Sequence, residues 1–201
     1  GLATPMSIMV GVGRGASAGI LVRNARALDA LAQLDTLVID KTGTLTEGRP
    51  RLTDRVHVAG VSEARLLGIA AALELASAHP LARAVVAAAR ERGIELPPVD
   101  AFTSKTGLGV VGRVSSQRAL VGSPRLLEDE GVDASTLAEE AERFAAEGKT
   151  TLFVAAEGRL LGALAVADPV KPSAATAVAR LRRQGLRVAM LTGDRGGTAR
   201  A

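Results

Sequence analysis

Cysteine, tryptophan and tyrosine are absent from the 201 residues, and three phenylalanines are the only aromatic residues. Without cysteine there is neither a disulfide framework nor a thiolate metal site, which fits a reducing compartment. With no basic stripe interleaved with aromatics, nucleic-acid binding is not expected. Lysine is scarce as well: Lys41, Lys105, Lys149 and Lys171 are the whole set. Arginine supplies most of the positive charge behind a formal net charge of +4. The charges are scattered, and the densest cluster, "RLRR" at 180–183, reads as a solvated helix face. No run is long enough to cross a bilayer alone. "GLATPMSIMVGVGRG" at 1–15 is apolar to Val12 and is then broken by Gly13, Arg14 and Gly15, as in the tail of a span that begins upstream. There is no signal-peptide pattern and no initiating methionine. Both ends read as cuts in a longer protein.

The hydrophobic fraction is 47%, so the core must come from Ala, Val, Leu and Ile. "NARALDALAQL" (24–34) has a helical period that puts Leu28, Leu31 and Leu34 on one face. "TLVID" (36–40) follows as a short buried strand. Two helices are expected over 61–77 and 79–93, with Ser62 as N-cap of the first and Pro80 and Gly93 bounding the second. Residues 101–114 and 118–122 read as strands with glycines inside, and 134–148 as a helix with Phe144 inward. Residues 150–168 read as a hairpin around Glu157-Gly158. A helix over 171–185 carries the stripe Ala175, Val178, Leu181, and 186–194 is a second buried strand. Two strands with polar tips thus bracket a block of roughly 110 residues that is large enough for its own core. The expected architecture is an α/β sheet domain with a second domain inserted.

In open parallel sheets ligands sit beyond the carboxyl ends of the strands, and Asp40 is at such an end. Its carboxylate can act as a nucleophile. Lys41 neutralises charge, while Thr42, Gly43 and Thr44 offer hydroxyls and N–H groups to a phosphoryl group. Thr192 and Gly193, at the second strand end beside Asp194, add further donors. This is equipment for phosphoryl transfer, in which positioning and charge stabilisation dominate. The chemistry calls for Mg²⁺, with Asp40 and Thr42 as oxygen donors. Two positions after Asp40 stands Thr42 and not a second acid. An aspartyl phosphate there has no local general acid or base to hasten its hydrolysis.

"DKTGTLT" (40–46) resembles the phosphorylation motif of P-type ATPases, cation pumps with a haloacid-dehalogenase-like phosphorylation domain. "ELASAHPLA" (74–82) resembles the Ser-Glu-His-Pro-Leu motif of the heavy-metal pumps, and "GLGVVGRV" (107–114) their glycine pair. "VADPVKP" (166–172) resembles the re-entry into the phosphorylation domain, with Asp168 near the hinge, and "TGD" (192–194) the second phosphate-contact motif. Two positions depart: Ala78 stands where the family usually has Glu, and Arg195 where Asn is common. The opening 16 residues resemble the end of a metal-binding membrane helix, in wording that favours Cu⁺ over zinc or cadmium.

The resemblance implies a haloacid-dehalogenase-like fold with a Rossmann-type parallel sheet, incomplete, and an inserted α+β nucleotide-binding domain containing an antiparallel sheet. It implies residues 1–23 as the end of a membrane helix and stalk, 24–53 and 167–201 as two parts of the phosphorylation domain, and 54–166 as the nucleotide domain. ATP would be held by Glu74, His79, Gly107 and Gly109. With Mg²⁺, its γ-phosphate would pass to Asp40, stabilised by Lys41, Thr42, Thr44 and Thr192. The implied partners are a transported metal ion, Cu⁺ by preference, and the actuator and membrane domains of the same protein. The implied location is the cytoplasmic portion of an integral membrane protein. Two other readings stand beside it: a soluble phosphohydrolase of the same fold, and a nucleotide-binding module inactive by itself.

Overall fold

The computed structural model describes residues 3–22 and 24–191. Among them, residues up to Ile39 together with Ser173–Leu191 form one compact unit, and Asp40–Pro172 forms a second.

The first unit holds α1 (Ala3–Ser17), α2 (Ala25–Ala32), α7 (Ala174–Arg183) and a two-stranded sheet of β1 (Thr36–Asp40) and β8 (Arg187–Leu191). The Arg187 N–H donates to Asp35 O at 2.8 Å, joining the starts of both strands, so they run the same way. Neither strand is buried: Val38 is 60% exposed and Leu191 63%. The expectation of buried strands is corrected here, because a two-stranded sheet covers little of either of its own faces. Leu31 and Leu34, expected with Leu28 on one helix face, are likewise 60% and 41% exposed, and α2 ends at Ala32, before Leu34. The stripe of α7 runs through Ala174, Val178 and Leu181, not Ala175. That is the i, i+4, i+7 spacing of one helix face. Arg180, Arg182 and Arg183 lie in the last turn of α7, where cations complement the helix dipole. Gly13 and Gly15 do not break α1. A helical glycine costs about 1 kcal/mol and does not forbid the helix. No helix among the described residues is long and apolar enough to cross a membrane.

The second unit is built on a six-stranded antiparallel sheet in the order β2-β7-β6-β5-β4-β3. The strands are β2 (Arg51–His57), β3 (Val99–Lys105), β4 (Gly109–Val114), β5 (Gln117–Gly122), β6 (Thr150–Ala156) and β7 (Arg159–Ala167). Strand alternation sorts the side chains onto two faces. One face sends Val121, Val154 and Leu164 against α3 (Glu63–Leu75) and α4 (Pro80–Glu91). The other sends Leu120, Phe153 and Ala163 against Leu126 and Leu127 of α5 (Pro124–Asp129) and the segment leading into α6 (Ala138–Ala146). Phe144 on α6 is fully buried. The sheet is thus covered by helices on both sides.

Local signals explain the element ends. The Ser62 hydroxyl accepts the Arg65 N–H and caps α3. Pro80 opens α4, and Gly93, with φ +64, follows its C-cap. Glu157 and Gly158, at φ +49 and +71, make the tight turn between β6 and β7. The stretch 101–114 is two strands and not one, because Gly107 at φ +72 reverses the chain between β3 and β4. His57 ends β2 and is exposed.

Candidate phosphoryl-acceptor loop and nucleotide pocket

Asp40 is the last residue of β1 and is exposed. After it the chain makes a tight turn through Lys41–Leu45. Thr42 is extended (φ −75°, ψ 121°) and Gly43 left-handed (φ 76°, ψ −12°), a conformation that suits a residue without Cβ. Lys41, Thr42 and Thr44 therefore sit on one short loop with Asp40, as the motif implies. Thr192, Gly193 and Asp194 lie outside the described residues.

What holds the loop is Thr46, which is 1% exposed. Its hydroxyl donates to Asp168 Oδ2 at 2.5 Å and accepts the Gly43 N–H at 3.0 Å. Asp168 also accepts the Gly48 N–H (3.1 Å) and the Arg49 N–H (2.9 Å). One carboxylate from 122 residues further along the chain thus closes the base of the loop. Charge-assisted bonds of this kind are the stronger class.

The oxygens of Asp40 and Thr42 are the donor type a hard cation requires. Among the described residues there is no cluster of three or more His, Cys, Asp or Glu that would hold a metal ion unaided. The loop fits an ion shared with phosphate oxygens and water, as Mg²⁺ sites commonly are.

The second set of expected residues lies at the α3–α4 turn. Glu74, in the last turn of α3, is 6% exposed, and its Oε2 is buried without a hydrogen-bond partner. Burial raises its carboxyl pKa above the ordinary 4.5, and a hydrogen bond with the Ser77 side chain opposes that rise in part. Ser77 Oγ in turn accepts the His79 N–H at 3.2 Å. His79 caps α4, and its Nδ1 accepts the Leu81 N–H at 3.2 Å. In the neutral ring the proton then lies on Nε2, so the exposed side chain keeps a donor outward. Ser77 links Glu74 to His79, and sequence reasoning missed it. Its signal was its place as the first residue of the Ser-x-His-Pro-Leu match at 77–81.

The glycines divide. Gly107 is left-handed, and a Cβ there would meet nothing within 4 Å. Gly109 pairs with Gly122 across β4 and β5. A Cβ on Gly109 would come 2.2 Å from Val121 O and 2.9 Å from Leu126 Cδ2. Gly109 therefore has a packing reason of its own. Gly122, unnoticed in the sequence, shares it: a Cβ there would lie 2.3 Å from Leu108 O and 2.6 Å from Leu126 Cδ2. The end of α3 packs on the middle of β4, where a Cβ on Gly112 would come 2.8 Å from Leu73 Cδ2.

The raised pKa of Glu74 has a consequence for stability. A carboxyl whose pKa is raised by folding stabilises fully below its unfolded value and loses that contribution as pH rises toward the folded value. Glu74→Gln carries no ionisable proton there. Relative to the variant, the wild type therefore loses stability as pH rises from about 4.5 towards neutrality. Urea unfolding across that range checks this, and a pH-independent difference would rule out a desolvated Glu74.

Known proteins bear on these residues. The haloacid dehalogenase-like hydrolase profile matches residues 34–201. The whole chain is 48% identical to a copper-transporting P-type ATPase of Rhizobium leguminosarum bv. viciae and 44% identical to a copper-exporting P-type ATPase of Bacillus subtilis. It spans 24% and 25% of those relatives' lengths, about a quarter. A crystal structure of a zinc-transporting PIB-type ATPase in the E2.Pi state superposes with a TM-score of 0.80 and 32% identity, covering 98% of this chain and 32% of that one. The loop after β1, the antiparallel domain carrying Glu74 and His79, and similarity along the full length agree: the chain belongs to the haloacid dehalogenase-like hydrolases, and within them it is similar throughout to heavy-metal P-type ATPases.

Proposed function

We propose that the chain is the ATP-binding and phosphorylation segment of a P-type ATPase that exports Cu⁺, working as the cytoplasmic portion of an integral membrane protein. The observation that carries the ATP assignment is the buried, unpartnered Oε2 of Glu74 at the turn where His79 keeps a donor nitrogen outward. Adenine offers the complement, an exocyclic amino donor beside ring-nitrogen acceptors. A donor reaching Oε2 would relieve the cost of an unsatisfied buried oxygen. Gly107 leaves open space at the β3–β4 turn for the sugar, while Gly109 contributes by keeping β4 and β5 close.

Asp40 attacks the γ-phosphorus, the bond from it to the bridging oxygen breaks, and ADP leaves. Lys41 and the donors of Thr42 and Thr44 hold the equatorial oxygens, with Thr192 and Gly193 of the second phosphate-contact motif. Asp194 belongs to the same contact motif. Asp40 and Thr42 would hold Mg²⁺, which would supply charge neutralisation at the transferring group. Because Thr42 is not an acid, the aspartyl phosphate persists and its energy passes to metal movement. The transported ion, the actuator domain and the membrane domain are the partners this cycle requires. The copper assignment follows the 44–48% identity to copper-transporting and copper-exporting ATPases.

An ATP titration followed by amide NMR tests the binding half. Resonances of Glu74, His79 and Gly107 should move. His79→Ala should weaken binding by about tenfold, about 1.4 kcal/mol. A folded chain whose amides ignore saturating ATP would refute the assignment.

A further inference from the structure

Lys171 is placed by the backbone of the acceptor loop itself. Its N–H donates to Leu45 O at 2.8 Å, Thr46 and Val170 form an antiparallel bridge, and the Glu47 N–H donates to Pro169 O at 2.8 Å. From that anchored position Lys171 Nζ donates to Gly43 O at 2.8 Å. The Gly43 N–H is already bound by Thr46 Oγ1, which Asp168 holds in turn. Gly43 is thus gripped at both ends, its N–H through Asp168 and its C=O by Lys171.

The carbonyl bond reaches further than Gly43. No cis peptide occurs among the described residues, and in a trans peptide the C=O and N–H point to opposite sides of one plane. An ammonium that fixes the Gly43 carbonyl therefore also fixes the direction of the Thr44 N–H. A charged donor on the carbonyl polarises the peptide and strengthens its N–H as a donor.

We propose that Lys171 is a positioning residue for phosphoryl transfer: by gripping the Gly43 carbonyl it aims and strengthens the Thr44 N–H that receives the transferring group. This rests on the reading that Asp40 accepts the phosphoryl group. Lys171 does not touch the nucleotide. Its loss therefore slows the transfer step and leaves ATP capture by Glu74 and His79 intact.

The test grafts these 201 residues over the matching segment of the Bacillus subtilis relative. Acid-stable, hydroxylamine-sensitive labelling from γ-labelled ATP is followed at saturating nucleotide. Lys171→Met, which keeps the stem and removes the donor, lowers the labelling rate about tenfold or more, while half-saturating ATP stays within about twofold. Lys171→Arg, which keeps a charged donor, recovers most of the rate. In the 201-residue chain Lys171→Met also moves the Thr44 amide resonance and leaves those of Glu74 and His79 in place. Labelling by Lys171→Met at the wild-type rate, an unmoved Thr44 amide, or ATP affinity falling in step with rate each overturns the inference. A wild-type graft that binds ATP yet forms no acyl phosphate refutes the Asp40 reading instead, and the inference falls with it.

Discussion

Asp40→Asn abolishes acyl-phosphate formation in the grafted ATPase, with no hydroxylamine-sensitive label above background. The amide is nearly isosteric with the carboxylate, but its oxygen is too weak a nucleophile to open the phosphoanhydride. The loss is confined to chemistry for two structural reasons. Asp40 is exposed at a strand end. The loop behind it is fastened through Thr46 and Asp168. Stability should therefore change by less than about 0.5 kcal/mol. The ATP-induced shifts at Glu74 and His79 should survive, because the nucleotide residues lie on α3 and α4. Two measurements separate the outcomes. Residual label on the variant would place the acceptor elsewhere, and loss of ATP binding would mean that the two sites are not separable.

Gly109→Ala destabilises the six-stranded domain by about 3 kcal/mol or more. Two costs combine. The new methyl would sit 2.2 Å from Val121 O and 2.5 Å from Gly122 Cα, both backbone atoms of the paired strand, which cannot rotate away. Overpacking of this kind typically costs about 1–3 kcal/mol. The backbone at φ +145 adds strain that only glycine escapes, of order 1–3 kcal/mol. The space is also already taken, since fully buried Leu126 lies over the pair where two side chains would otherwise be. Gly107→Ala is the internal control: it meets open space and carries only the left-handed cost, about 1 kcal/mol. Urea midpoints of the two variants should therefore differ clearly. Equal midpoints would show that the Gly109–Gly122 approach is not a structural constraint, and would return Gly109 to a purely ligand-facing role.

What could be read ahead of the structure was what is local. Ser62, Pro80 and the Glu157-Gly158 turn act within a few residues, through capping, a fixed φ and a left-handed turn, and each is where the sequence put it. The acceptor motif was legible because seven consecutive residues carry it. Burial was not, since it depends on what lies opposite. Val38 and Leu31 are apolar and periodic, yet they are exposed in a unit with a two-stranded sheet. The stripe on α7 was placed one residue off at Ala175, because in an Ala-rich helix neighbouring positions look alike. Long-range partners left almost no local trace. Asp168 could be placed near a hinge, but nothing in "VADPVKP" says that its carboxylate would collect Thr46, Gly48 and Arg49, or that Lys171 would reach Gly43. Ser77 stood inside the motif matched at 74–82, but the motif does not say that its side chain would link Glu74 to His79.

The register of β2 with β7 pairs Arg51 with Ala167, so the antiparallel sheet begins and ends at adjacent points of the chain. Paired strands lie about 5 Å apart, a gap that a two-residue turn can bridge. Residues 51–167 therefore have the form of a cassette. They can be excised and closed by a short linker at little loop-closure cost, or exchanged for another relative's without re-threading the host. Selection can then retune nucleotide affinity inside the cassette while the acceptor loop outside it stays unchanged, and a laboratory can do the same by swapping one continuous stretch of gene.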